Sequence, residues 1–269
     1  WEILTNPTYQ ADKAITLGVV QTLPATGSEM NSGAVISRRS IGAKQAFMNP
    51  LVFPQFAILD PESTYSLPTR QLQNGIIDPF IHVTEQYLTT DLNSSIQDGF
   101  AEAVLKTLIE VGSDIVNGTQ DYATRANWMW AATNALNGII GIGVDHDWAT
   151  HMIGHELTAL YNIDHAQTLA IVLPSMLTVR KEAKREKLLQ FATRVWQLTD
   201  GDDETRIDTA IANTRAFFES VGVKTRLADY GVTTIDEVLA QLETHRMTAL
   251  GERREVTLDV SRRVLELSR

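Results

Sequence analysis

One change of texture near residue 66 constrains this chain more than any other feature. Before it, short apolar segments alternate with loops of small residues. Ala14 to Thr22, AITLGVVQT, is apolar, β-branched and followed by Leu-Pro, so it reads as a buried strand. Gly33 to Ser37 and Lys44 to Met48 read as a hairpin around Ser40-Ile41-Gly42. Phe56 to Leu59 reads as one more short strand, ending at Asp60-Pro61. From Pro68 onward the pattern is an almost unbroken run of helices. The expected fold class is therefore α+β, mostly α, with 1–66 and 67–269 as its two parts.

Leu72 to Tyr87 opens the helical part. Ser94 to Val111 follows, capped by Asn93 or Ser94, with Phe100, Val104, Leu108 and Val111 on one face. Tyr122 to Asn137 carries Ala, Trp and Met at helical spacing, and core packing is the reading for Trp128 and Trp130. Gly138 to Gly143 is an apolar loop spaced by glycines. Asp164 to Met176 is a helix with Asp164 as its N-cap. The charge run from Arg180 to Glu186 reads as a solvated helix face. Leu188 to Leu198 is amphipathic, and Ile207 to Val221 ends at Gly222. Thr234 and Glu237 form a capping box before Ile235 to Thr244, and Thr257 caps Leu258 to Leu267. His245 falls in a loop and reads as inert.

The chemistry concentrates between Asp147 and Pro174. His151 and His155 are four apart and share a helix face. His165 follows beyond a break at Asn162, Ile163 and Asp164. Three of the chain's six histidines thus lie in a short, mostly apolar stretch, where imidazoles need partners. Earlier, Asp78 and His82 form a second i, i+4 pair, with Pro79 suited to a first helical turn. Two helices offering such pairs can converge on one divalent ion. Mixed oxygen and nitrogen ligands suit zinc, ferrous iron or a similar metal. Neutral imidazoles also exchange protons near pH 7. Glu156 beside the histidines leaves a metal-dependent hydrolase open, although H-x-x-x-H-E is not the H-E-x-x-H order. A helical metal-binding domain without catalysis is a further alternative.

These motifs, together with TLPATGSEMNSGAVIS and AILDPESTYSLP, resemble the iron-containing alcohol dehydrogenase family over nearly the whole chain. The likeness is closest to the NADPH-dependent butanol dehydrogenases and broad-range aldehyde reductases. It implies a dehydroquinate synthase-like architecture, in which part of an α/β dinucleotide-binding domain precedes an all-helical metal-binding domain. It implies metal ligation by Asp78, His82, His151 and His165. His155 matches the family's non-ligand histidine near the substrate, a proton relay. Thr22, Thr26, Asn31 and Gly33 match positions beside the cofactor, and Lys44 the lysine that reaches it. The implied reaction is hydride transfer between NADP, or NAD, and a primary alcohol or aldehyde, in a cytoplasmic homodimer. Apolar neighbours such as Ile81, Met152 and Ile153 would tolerate alkyl substrates. The family's GGGS turn for the pyrophosphate has no counterpart in this sequence, which implies that roughly the first half of a nucleotide domain is missing.

Composition adds exclusions. A net charge of -10 argues against nucleic acid and anionic membrane surfaces as partners. Without cysteine there is no disulfide or thiolate chemistry. No apolar run is long enough to span a bilayer, and the first residues lack the pattern of a signal peptide.

Overall fold

The first strand is shorter than its apolar run. In the computed structural model, which describes residues 1–6, 9 and 11–269, β1 covers only Gly18–Gln21. It pairs in parallel with β4, Phe56–Leu59. Val20, Phe56 and Ile58 stay exposed on this pair, although parallel strands ordinarily lie in sheets covered on both faces. Between them runs the hairpin of β2, Gly33–Arg38, and β3, Ala43–Met48, in register from Gly33–Met48 to Arg38–Ala43. A single 3-10 turn, Arg39–Ile41, and Gly42 at φ 59° reverse the chain. Glycine reaches that left-handed conformation without a Cβ penalty. A short helix, α1, Glu2–Thr5, precedes these strands.

Helices then take over as the texture predicts: α2 Thr69–Tyr87, α3 Ser95–Val116, α4 Tyr122–Leu136, α5 Ala149–Tyr161, α6 His165–Val179, α7 Arg185–Arg194, α8 Asp203–Ser220, α9 Asp236–Thr244 and α10 Leu258–Leu267. A minimal antiparallel pair, β5 Ala249–Leu250 with β6 Val256–Thr257, lies before α10. Among the described residues no helix is long and apolar enough to cross a membrane.

The apolar core divides in two, and α6 serves both halves. Leu169, Ala170, Leu173 and Leu177 join the cluster built from α2, α3, α4, α7 and α8. Ile171, Val172 and Met176 join the cluster built with α5, α9 and α10. A helix apolar on all sides belongs in an interior, and α6 occupies one.

Several local expectations fail for tertiary reasons. Pro79 is not in a first turn, because α2 begins ten residues earlier and carries Pro79 inside it. Proline has no N–H for the carbonyl four residues back, that of Gly75. The indole Nε1–H of Trp128 donates to that oxygen instead, at 2.7 Å. Trp128 is thus core as expected, but Trp130 is 54% exposed. Phe100 also leaves the buried face of α3. Ser94 stands at the start of α3 without a side-chain cap bond. Asp164 precedes α6, yet its carboxylate accepts from Asn74 Nδ2 at 2.9 Å and pairs with Arg70 on α2. The Thr234–Glu237 box does not form, since α9 starts from Ile235 without a side-chain cap. Thr257 does cap α10, accepting from Val260 N.

The charge run is the largest departure. Within it Lys184 is buried, and so is Lys187 just beyond its end. Lys184 Nζ pairs with Asp147 at 2.7 Å and Glu252 at 3.0 Å, and donates to the Leu88 carbonyl at 2.6 Å. Lys187 pairs with Asp98 at 2.9 Å. Buried cations survive only with such partners.

Candidate metal centre

Three helices bring the acid and the imidazoles together. On α2 the i, i+4 spacing turns Asp78 and His82 to one side, and both are buried. On α5 the same spacing aligns His151 and His155, also buried. His165 is the first residue of α6, half-buried, where it can point back toward α5. Helices α5 and α6 approach closely because position 154 is glycine. A Cβ there would lie 2.8 Å from Leu169 Cδ2 and 2.9 Å from Thr168 Oγ1.

Asp78 Oδ1 is the meeting point. It lies 3.5 Å from His82 Nε2, 3.7 Å from His165 Nε2 and 3.9 Å from His151 Nε2. Ligand atoms of Asp78, His82 and His151 all lie within 4.8 Å of one another. His165 reaches the same oxygen but stands outside that tighter trio. Ligands held about 2.1 Å from a tetrahedral ion are about 3.4 Å apart, close to the spacing seen here. The rings of His82 and His151 stack with centroids 4.8 Å apart. Asp78 Oδ1 and His151 Nε2 are buried with no hydrogen-bond partner. Buried polar atoms in natural folds are nearly always satisfied, and an ion is one way to satisfy a group of them. The donor set therefore fits a divalent cation.

Electrostatics agree with the geometry. Burial holds His82, His155 and His165 well below the usual imidazole range, with neighbouring histidines adding to the effect. They are neutral near pH 7, the form that ligates. Burial also pushes Asp78 up to about 6, against the opposing pull of His151 and Lys44. An added cation would favour its charged form. Lys44, on β3, is lowered to about 8 by burial, with Asp78 acting in the other direction. Its charge is felt at His155 and His165, and β3 packs against α5. Both ring nitrogens of His155 are buried without a partner, and its ring centroid lies 5.1 Å from that of His165.

The other expected residues divide. Thr22 and Thr26 are exposed after β1. Asn31 is buried and its amide is already used: Nδ2 donates to Thr26 O at 3.0 Å and Leu136 O at 3.2 Å, while Oδ1 accepts from Gly33 N at 2.9 Å. That side chain shapes the loop and docks it on α4. Ile81 and Ile153 belong to the two cores, which leaves only Met152 half-buried among the three apolar neighbours. Glu156 points into a different contact. It is buried and bonds His245 Nδ1 at 2.7 Å, so His245 is not inert and Glu156 is engaged outside the cluster.

Glu85 is a residue the sequence reading missed. It sits seven residues after Asp78 and three after His82, on the same stripe of α2. Its carboxylate bonds His151 Nδ1 and the Thr150 backbone N–H. The i, i+4, i+7 spacing of Asp78, His82 and Glu85 was a signal that could have found it. A surface groove of about 280 Å³ lined by Phe100, Trp130 and Ile140 shares no residue with the cluster. Its walls hold no titratable side chain.

Comparison with known proteins places this geometry in a family. The model described as "Fe-containing alcohol dehydrogenase family, C-terminal" matches residues 73–261, and "Iron-containing alcohol dehydrogenase" matches 1–61. The NADPH-dependent aldehyde reductase YqhD of Escherichia coli is 56% identical over all of this chain, which spans 70% of that protein. NADH-dependent butanol dehydrogenase A of Clostridium acetobutylicum is 35% identical over 86% of this chain and 60% of its own length. A crystal structure of the E. coli protein superposes with a TM-score of 0.98 at 55% identity, covering 100% of this chain and 70% of that one. NADH-dependent butanol dehydrogenase A from Thermotoga maritima gives 0.90 at 29% identity, covering 100% and 69%.

Proposed function

This chain belongs to the iron-containing alcohol dehydrogenase family, and from that premise we propose that it is a metal-dependent oxidoreductase acting between NAD(P)(H) and a primary alcohol or aldehyde. The observation that carries the reading is one buried carboxylate oxygen faced by three imidazole nitrogens at 3.5–3.9 Å. NADP is favoured over NAD because the relative with 56% identity is named for NADPH. Homodimeric assembly and a cytoplasmic setting belong to the same reading and rest on family membership alone.

Asp78, His82, His151 and His165 would hold the divalent ion, zinc or iron. When bound, the ion supplies Lewis-acid polarisation of a substrate oxygen and the nicotinamide supplies or accepts hydride. The protein's own contribution is orientation and proton handling. His155 carries a neutral imidazole whose two nitrogens have no other partner, so it can take a proton on one and release one from the other. Lys44 places a positive charge beside the site and draws negative charge on cofactor or substrate toward it. The loop bearing Thr22, Thr26, Asn31 and Gly33 would receive the cofactor, with Asn31 fixing its shape. Burial of the cluster keeps competing water out of the site.

The test is butyraldehyde-dependent oxidation of NADPH by the complete gene product that carries this sequence. Turnover should disappear on chelation, return with added iron or zinc, and be absent in Asp78→Ala. Full activity in Asp78→Ala would sink the reading.

A further inference from the structure

Glu85 is tied to the start of α5 in three places. Its main-chain oxygen accepts from Asp147 N at 2.9 Å. Its Oε1 accepts from Thr150 N at 2.7 Å. Its Oε2 bonds His151 Nδ1. Among the described residues it is the one carboxylate hydrogen-bonded to a ring of the ligand cluster. We infer that Glu85 is a positioning residue that holds His151 in the tautomer with hydrogen on Nδ1, so that Nε2 presents its lone pair to a metal ion.

The inference rests on the metal-binding reading above and follows from donor and acceptor counting. A neutral imidazole has one N–H and one lone pair. If Nδ1–H donates to Glu85, the lone pair is left on Nε2. That is the atom 3.9 Å from Asp78 Oδ1, buried and without another partner. Outer carboxylates of this kind fix both ring orientation and tautomer in metal sites. His82 and His165 lack such help, since Nδ1 of each is buried and unpartnered. His151 is thus the imidazole whose tautomer the protein sets before any ion arrives. The same carboxylate satisfies a first-turn N–H of α5, where negative charge is favoured. One residue on α2 therefore fixes both the helix and the ring it carries.

Glu85→Gln separates these two jobs. The amide has the same shape, and the Thr150 N–H donates only to an oxygen, so the Gln oxygen must face it. The amide nitrogen must then face His151 Nδ1 and donate to it. Nδ1 becomes the acceptor, and the proton moves to Nε2, where it blocks ligation. The experiment measures Zn²⁺ affinity of the purified chain by competition with a chromophoric chelator, and reads histidine ¹⁵N shifts in the metal-free protein. Zn²⁺ affinity should fall about 10–100-fold in Glu85→Gln, and the His151 proton should switch from Nδ1 to Nε2. Glu156→Gln, which alters the hydrogen-bonded Glu156–His245 pair outside the cluster, should leave Zn²⁺ affinity unchanged. Equal affinity in wild type and Glu85→Gln overturns the inference. So does a wild-type spectrum with the His151 proton on Nε2, whether or not the variant folds. Failure of the wild type to bind Zn²⁺ would strike the metal reading, while the ¹⁵N spectrum would still decide the tautomer.

Discussion

Replacing Gly75 with alanine should destabilise the protein, although alanine is the better helix former. Position 75 lies within α2, one turn before Asp78. A Cβ there would sit 2.5 Å from the Pro24 carbonyl oxygen and 2.5 Å from Trp128 Cζ2. Ordinary contact begins near 3.4 Å, so each neighbour must give by about 0.9 Å. Neither yields easily: one is backbone, and the other is a fully buried indole. Overpacking of this kind costs about 1–3 kcal/mol. Pushing the indole aside also strains its bond to the Gly75 carbonyl, the oxygen that Pro79 leaves without a helical donor, a loss of about 1 kcal/mol. Helix propensity returns about 1 kcal/mol. The net expectation is a loss of about 1–3 kcal/mol, read as a lower urea midpoint at unchanged slope. Gly99 in α3 is the control, because a Cβ there meets nothing within 4 Å. Gly99→Ala should stabilise by about 1 kcal/mol. If Gly75→Ala stabilises as much as Gly99→Ala, the close approach of α2, α4 and the Pro24 loop is misread.

Lys184→Met should cost about 3–5 kcal/mol, because it strands the buried Asp147 and the half-buried Glu252 as anions without their cation. Urea unfolding checks this, and a loss below about 1 kcal/mol would refute it. His155 makes a prediction about pH. Its folded pKa is depressed by burial, so the unfolded state binds the proton first as pH falls below about 6.5. Stability contributed by the neutral ring is complete above that point and is lost as pH drops through the window below it. Relative to His155→Asn, the metal-free wild type should lose about 1.4 kcal/mol per pH unit there. Parallel stability profiles for the two proteins would contradict the burial of His155.

Local pattern made much of this molecule legible. Strand β4, the hairpin around Gly42 and the positions of most helices follow from period-2 and period-3.6 spacing, which short segments carry within themselves. The pairs Asp78–His82 and His151–His155 were readable for the same reason, since a helix aligns residues four apart wherever it lies. Caps were less legible. Thr257 behaves as its type suggests, whereas Asp164 and Thr234 do not, because Arg70 and Asn74 on a distant helix take the Asp164 carboxylate and no cap bond forms at Ile235.

Residue types and helical spacing were thus settled by the sequence: four potential ligands, an apolar setting and the α+β class. Tertiary structure alone decided that the ligands share one oxygen's neighbourhood, that Lys184 leaves solvent, and that Trp128 fills the vacancy behind Pro79. Each depends on chain segments dozens of residues apart. Their meeting is set by how whole helices pack, and no short window of sequence records that packing.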